Sequence, residues 1–185
     1  MHEGQEQGAA LRLAVIVGST REGRTGDKVA GWFAEHAAGR AGLAPTVIDL
    51  ADFAFPARYP ERPTADMAGF CAAVADAEAY VVVTPEYNRS YPASLKQAVD
   101  YAYEEWRTKP VGFVSYGYKA RGLYAVEHLR QVFAELHTVT MRDAVALDLA
   151  AETVPDAQDA DALLDQLTWW GLALREARAS RPYVA

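Results

Sequence analysis

Apolar residues fall along the chain in two kinds of block. Leu11–Gly18 (LRLAVIVG), Pro45–Leu50 (PTVIDL), Ala79–Thr84 (AYVVVT) and Lys109–Ser115 (KPVGFVS) are short, nearly continuous apolar runs, with His137–Met141 (HTVTM) a weaker fifth. Runs of this length without polar alternation predict strands covered on both faces. Between them, apolar residues recur at helical spacing: Val29, Trp32, Phe33 and Ala37 after Asp27, Phe70 and Val74 within Met67–Ala77, the segment Ser94–Tyr103, and Leu123, Val126, Leu129, Phe133 and Leu136. Such sets put one apolar face on each helix. Asp156–Ala177 predicts a closing helix with Leu163, Leu167, Trp170 and Leu174 inward.

Strand and helix therefore alternate five times. Right-handed crossovers place the helices on both faces of one parallel sheet. The expectation is an α/β, three-layer, doubly wound flavodoxin-like domain with a five-stranded parallel sheet of order 2-1-3-4-5. No linker or internal repeat divides the chain, so residues 1–185 are expected to form a single domain, with residues 1–10 disordered. The Pro- and aromatic-rich stretch Phe53–Pro63 (FAFPARYPERP) is long for a connection; it borders a site or interface, or is docked by its own aromatics.

Composition narrows the partners. A chain of 185 residues with 51% hydrophobic composition can bury a sizeable core, and its formal charge of -7 argues against a general affinity for nucleic acid. The one cysteine, Cys71, excludes an internal disulfide and reads as a packing residue in an apolar helix. Met1–Gly8 has no secretion-signal pattern, and no apolar run has membrane-spanning length, so a soluble cytoplasmic protein is expected. His2, His36, His128 and His137 are scattered and predict no metal site; Ser19 lacks a nucleophile-elbow setting.

In a doubly wound sheet, ligands bind beyond the carboxyl ends of the strands. Three loops lie there. The first, GSTREGRTG (Gly18–Gly26), runs from strand to helix, where free backbone N–H groups suit a phosphate, and Ser19, Arg21, Arg24 and Thr25 add donors. It is neither a Walker A loop, since Arg24 stands where lysine is needed, nor a GxGxxG fingerprint. An ordinary polar turn is the alternative. The second loop, Pro85–Asn88 (PEYN), offers Glu86, Tyr87 and Asn88 beside Pro85, although Tyr87 and Pro92 could simply pack the next helix start while Asn88 or Ser90 caps it. The third, Ser115–Gly122, carries Tyr116, Gly117 and Tyr118. Tyr87, Tyr116 and Tyr118 are candidate walls for a flat ring. A phosphate at one end and a ring at the other describe FMN.

These stretches resemble the NAD(P)H-dependent FMN reductase family, which includes chromate, quinone and azo-dye reductases. GSTREGRTG is similar to its phosphate loop, TPEYNRSYPASLKQAVD (Thr84–Asp100) to its most specific motif, and PVGFVSYG (Pro110–Gly117) to its third contact region. The likeness spans Leu11–Leu147. It implies FMN held by Ser19, Arg21 and Thr25 at the phosphate and by Pro85, Glu86, Tyr87 and Asn88 at the isoalloxazine. It also implies NADPH or NADH as hydride donor, a small-molecule electron acceptor, and a homodimer or homotetramer.

Departures from the pattern stand out. Some members carry a second Ser and an Asn in the first loop where this chain has Arg24 and Gly26, so its phosphate contacts must differ. Gln97 replaces the motif's Asn, and Tyr118 and Arg121 replace small residues of a Gly-rich third loop. The chemistry then belongs to the flavin, and no side chain is required as acid or base. A flavodoxin-like electron carrier, or a specialised biosynthetic flavin reductase, is the alternative.

Overall fold

The computed structural model describes residues 9–151 and 156–184. Most of the segment expected to be disordered, residues 1–8, lies outside them. Ala9 and Ala10 are placed, their carbonyls accepting Arg175 Nη1 and Nη2 at 2.7 and 3.1 Å.

The strands are β1 (Leu11–Val17), β2 (Leu43–Asp49), β3 (Ala79–Pro85), β4 (Pro110–Gly117), β5 (Val139–Thr140) and β6 (Val145–Asp148). The helices are α1 (Gly26–Ala38), α2 (Ala65–Asp76), α3 (Ala93–Tyr101), α4 (Leu123–Glu135) and α5 (Ala157–Ser180). All pairings are parallel and run β2-β1-β3-β4-β5, the flavodoxin-like order. The fifth strand is broken. β5 pairs with Pro110–Val111 at the start of β4, and β6 pairs with Val114–Gly117 at its end. Sequence patterning finds only the first of these pieces, because polar Arg142 and Asp143 interrupt the apolar run.

Strand alternation sorts the core into two layers. Leu13, Val15, Val17, Val81 and Val83 meet α1 and α5 through Val29, Phe33, Leu163 and Leu167. Ala14, Ile16, Tyr80, Val82 and Phe113 meet α2, α3 and α4 through Phe70, Leu95, Leu129 and Phe133. Along β1, β3 and β4 both faces of the sheet are dry, which explains their unalternated runs, whereas β2, at the sheet edge, is covered only in part, with Val47 47% exposed. Trp170, expected inward, is 38% exposed beside Trp169 at 64%. The inward face of α5 is instead Ala160, Leu163, Leu164, Leu167 and Gly171.

The loop after β2 is docked by its aromatics. Phe53 and Phe55 stack at 5.6 Å, Phe55 meets Tyr101 at 5.0 Å, and Gln97 Nε2 donates to the Pro56 carbonyl at 2.6 Å. These contacts are the docking by its own aromatics that one of its two readings describes. Cys71 is half-buried, and burial raises its thiol pKa, as suits a packing residue. At the opposite end of the sheet, the buried Lys109 donates to the Val74 and Ala75 carbonyls at 3.2 and 2.9 Å, near the C-terminus of α2.

Candidate functional site

β1, β3 and β4 end at the same edge, because the register sets Val17 beside Val83 and Pro85 beside Tyr116. Their loops enclose a cleft of about 900 Å³. Ser19, Arg21, Arg24 and Thr25 line it from the first loop, Pro85, Glu86 and Tyr87 from the second, and Tyr116, Gly117 and Tyr118 from the third. Asn88 and Ser115 do not line it.

The first loop leads into α1 without a side-chain cap at Thr25, so donors at the helix start are left for a ligand. Gly23 turns the loop with φ 65°, a conformation glycine adopts without strain. Arg24 is committed inside the loop. Its Nη1 donates to the Ser19 carbonyl at 2.7 Å, and its Nη2 pairs with the Asp49 carboxylate at the end of β2. Arg21 stays exposed at the lip.

In the second loop each residue has a separate task. Pro85 ends the buried strand. Glu86 reaches across to the third loop: Tyr124 N–H donates to Glu86 Oε2 at 3.2 Å, so the carboxylate caps α4, whose own N-cap is the side-chain-free Gly122. The Tyr87 hydroxyl lies 3.2 Å from Ser19 Oγ and ties the loop to the phosphate end. Tyr87 and Ser90 exchange backbone bonds of 2.7 and 3.0 Å around a turn with φ 50° at Asn88 and 65° at Arg89. Positive φ at both central residues is the type I′ pattern, which Asn tolerates well. Asn88 thus shapes the turn, while Arg89 lies 3.9 Å over the Tyr124 ring and faces the cleft.

The third loop is sprung against β4. Ser115 is buried behind the cleft, its Oγ donating to the Arg121 carbonyl at 2.8 Å. Arg121 and Gly122 are left-handed at φ 52° and 88°, and a Cβ on Gly122 would run into Ser115 Cβ. Tyr118 is 69% exposed at the mouth, and Leu123, expected inward, is 54% exposed in the cleft. Tyr116 is no wall of the mouth. Its ring turns down toward α1, and its buried hydroxyl lacks a hydrogen-bond partner among the described residues. Burial pushes this phenol up to about 12, the Tyr87 phenol adds to the rise, and the nearby Ser19 hydroxyl opposes it without reaching hydrogen-bonding geometry.

Sequence reasoning missed Arg89, Leu123 and Tyr124 as lining residues, and Asp49 as the partner of Arg24. The Tyr-Asn-Arg-Ser order around a tight turn was the available signal for Arg89. Five cations and two carboxylates (Glu22, Glu86) line the cleft; Arg24 is paired with Asp49 and Arg121 lies 3.7 Å from Asp148, so Arg21, Arg89 and Lys119 carry the positive charge there, in a chain whose total charge is -7. Local donors make this an anion-attracting site. Among the described residues, no group of three or more His, Cys, Asp and Glu could hold a metal ion.

The family model described as NADPH-dependent FMN reductase matches residues 11–152. An NAD(P)H-dependent FMN reductase of Schizosaccharomyces pombe is 33% identical over 117 residues, covering 57% of this chain and 58% of that one. The chain thus spans less than two thirds of that relative's length. A 2-hydroxy-1,4-benzoquinone reductase of Burkholderia sp. is 35% identical over 144 residues, covering 71% and 75% of the two chains. Among solved structures, the flavoenzyme NAD(P)H:(acceptor) oxidoreductase FerB of Paracoccus denitrificans superposes with a TM-score of 0.69 at 24% identity, over 90% of this chain and 98% of that one. At that identity the likeness concerns the fold alone.

Proposed function

The chain belongs to the NADPH-dependent FMN reductase family, and on that premise we propose that its cleft holds FMN and serves hydride transfer from NADPH or NADH to a small electron acceptor. The acceptor class is a quinone, an azo or nitro compound, a metal oxyanion or free flavin. The observation that carries this reading is the joining of an uncapped helix start to a cationic cleft at the sheet's carboxyl edge.

The residues present fit the group. A buried, unpartnered phenol and an uncapped α1 leave donors waiting at one end, as a phosphate requires. Pro85, Tyr118, Leu123 and Tyr124 supply apolar and aromatic surface at the other. Bound FMN would supply the two-electron redox chemistry. Arg21 and the α1 N-terminus attract the phosphate; Gly117 lets the third loop fold back closely, since a Cβ there would lie 3.2 Å from Gly122 N; the Glu86 cap holds the second and third loops in register. Lys119 and Arg121 line the same cleft, and their charges would favour an incoming anionic nucleotide.

Tyr118 at the mouth favours an acceptor range narrower than that of an open cleft. A curated relative named for a hydroxylated benzoquinone supports the quinone class. The test is steady-state oxidation of NADPH and of NADH by the FMN-loaded protein, with benzoquinone, an azo dye and chromate as acceptors. Acceptor-dependent turnover is expected. Flavin binding without turnover of either nucleotide would leave an electron carrier instead.

A further inference from the structure

We infer that the Tyr116 hydroxyl is a phosphate donor of the cleft, standing in for the loop side chain that Gly26 lacks, and that it sets selection of FMN over riboflavin. The inference rests on the reading that the cleft takes FMN.

Three observations converge. A Cβ built on Gly26 would lie 2.6 Å from Tyr116 Oη, so the hydroxyl occupies the space that a side chain at position 26 would take. Gly26 is the first residue of α1, where backbone N–H groups lack partners inside the helix. The hydroxyl itself is buried and unpartnered among the described residues, a state that costs stability unless a ligand meets it. Its pKa, pushed up to about 12 by burial, keeps it protonated and so a donor at neutral pH.

The neighbours complete a cluster. Ser19 Oγ and Tyr87 Oη stand 3.2 Å apart on the same side, while Arg24 is turned away to Asp49 and the Ser19 carbonyl. Three hydroxyls and a helix start therefore face a phosphate, in place of a second Ser and an Asn on the loop. Tyr87 and Tyr116 thereby leave the ring wall, and Tyr118, Leu123 and Tyr124 remain to form it.

The experiment is flavin-fluorescence titration of wild type, Tyr116→Phe and the double variant Gly26→Ser/Tyr116→Phe with FMN and, separately, with riboflavin. Tyr116→Phe keeps the ring and its packing. It should weaken FMN roughly 10- to 100-fold, the range for a hydrogen bond to a charged group, and leave riboflavin within about twofold. Without the hydroxyl, a Cβ at position 26 has only ordinary contacts of 3.4 Å with Val17 Cγ1 and 3.5 Å with Tyr116 Cζ. The serine of the double variant should then recover part of the FMN loss. Equal weakening of FMN and riboflavin would return Tyr116 to the ring wall and overturn the inference, as would an unchanged FMN affinity. Wild-type protein that binds neither flavin would overturn the functional reading itself, and the inference with it.

Discussion

Glu86 joins two loops of the cleft through one hydrogen bond, and its removal should be felt in both stability and ligand binding. α4 starts at Gly122, which offers no side chain, so the N–H of Tyr124 depends on a carboxylate 38 residues away in sequence. Loss of a capping side chain costs about 0.5–2 kcal/mol, and loss of a negative charge at a helix start about 0.3–1 kcal/mol of that. A domain of this size loses roughly 2–4 °C in Tm per kcal/mol. Glu86→Ala should therefore lower Tm by roughly 1–8 °C, and Glu86→Gln, which keeps an acceptor oxygen, by roughly 1–4 °C and by no more than the alanine variant. Thermal unfolding at low and high salt separates the two parts, since only the charge contribution is screened. FMN affinity should fall several-fold in the alanine variant, because the turn at Tyr87–Ser90 is then held to α4 only by Arg89 over the Tyr124 ring and by the Ser90–His128 hydrogen bond. An alanine variant as stable as wild type, or a glutamine variant worse than alanine, would refute the capping argument.

Arg21→Ala should weaken FMN binding by roughly 10- to 100-fold with Tm unchanged, because its guanidinium is exposed; equilibrium titration and thermal unfolding check the two halves. Gly122→Ala should destabilise the fold by about 2–4 kcal/mol, since φ 88° is strained for alanine and its Cβ meets Ser115; urea unfolding reads the loss. Tyr118→Gly should speed or broaden acceptor use, and identical kinetics with small and bulky quinones would contradict it. Lys109 sets a pH dependence: burial, with Arg178 and Arg12 adding to it, lowers its pKa from 10.5 to about 8. Between those values the unfolded chain binds a proton that the folded chain does not, so stability rises with pH across the window. Wild type should gain in urea midpoint relative to Lys109→Met from pH 8 to pH 10, and a constant difference would contradict the shift.

The layers and the position of the cleft were legible because they follow from backbone rules. Buried parallel strands need unalternated apolar runs, and a doubly wound sheet places its ligand edge by topology alone. The fifth strand was half-hidden, because its two pieces are separated by polar residues that pattern reading treats as an end. Side-chain direction was the larger gap. Ser115 and Tyr116 are neighbours at the end of one strand, so they must point to opposite faces. One braces Arg121 behind the cleft and the other reaches α1. Pairings remote in sequence were also invisible: nothing near Arg24 announces that Asp49 takes its charge. Trp170 misled because its helical spacing suits either side of a broad apolar stripe, whereas Gly171 is the residue that lets α5 press on Leu11.

The most direct test of the account is to load the protein with FMN, remove free ligand, and add NADPH or NADH under anaerobic conditions while following the visible flavin band. A retained flavin spectrum that bleaches on addition of one nucleotide or the other is the expected result. Retained flavin that neither nucleotide bleaches, or no flavin retained and none bound on titration, would contradict it.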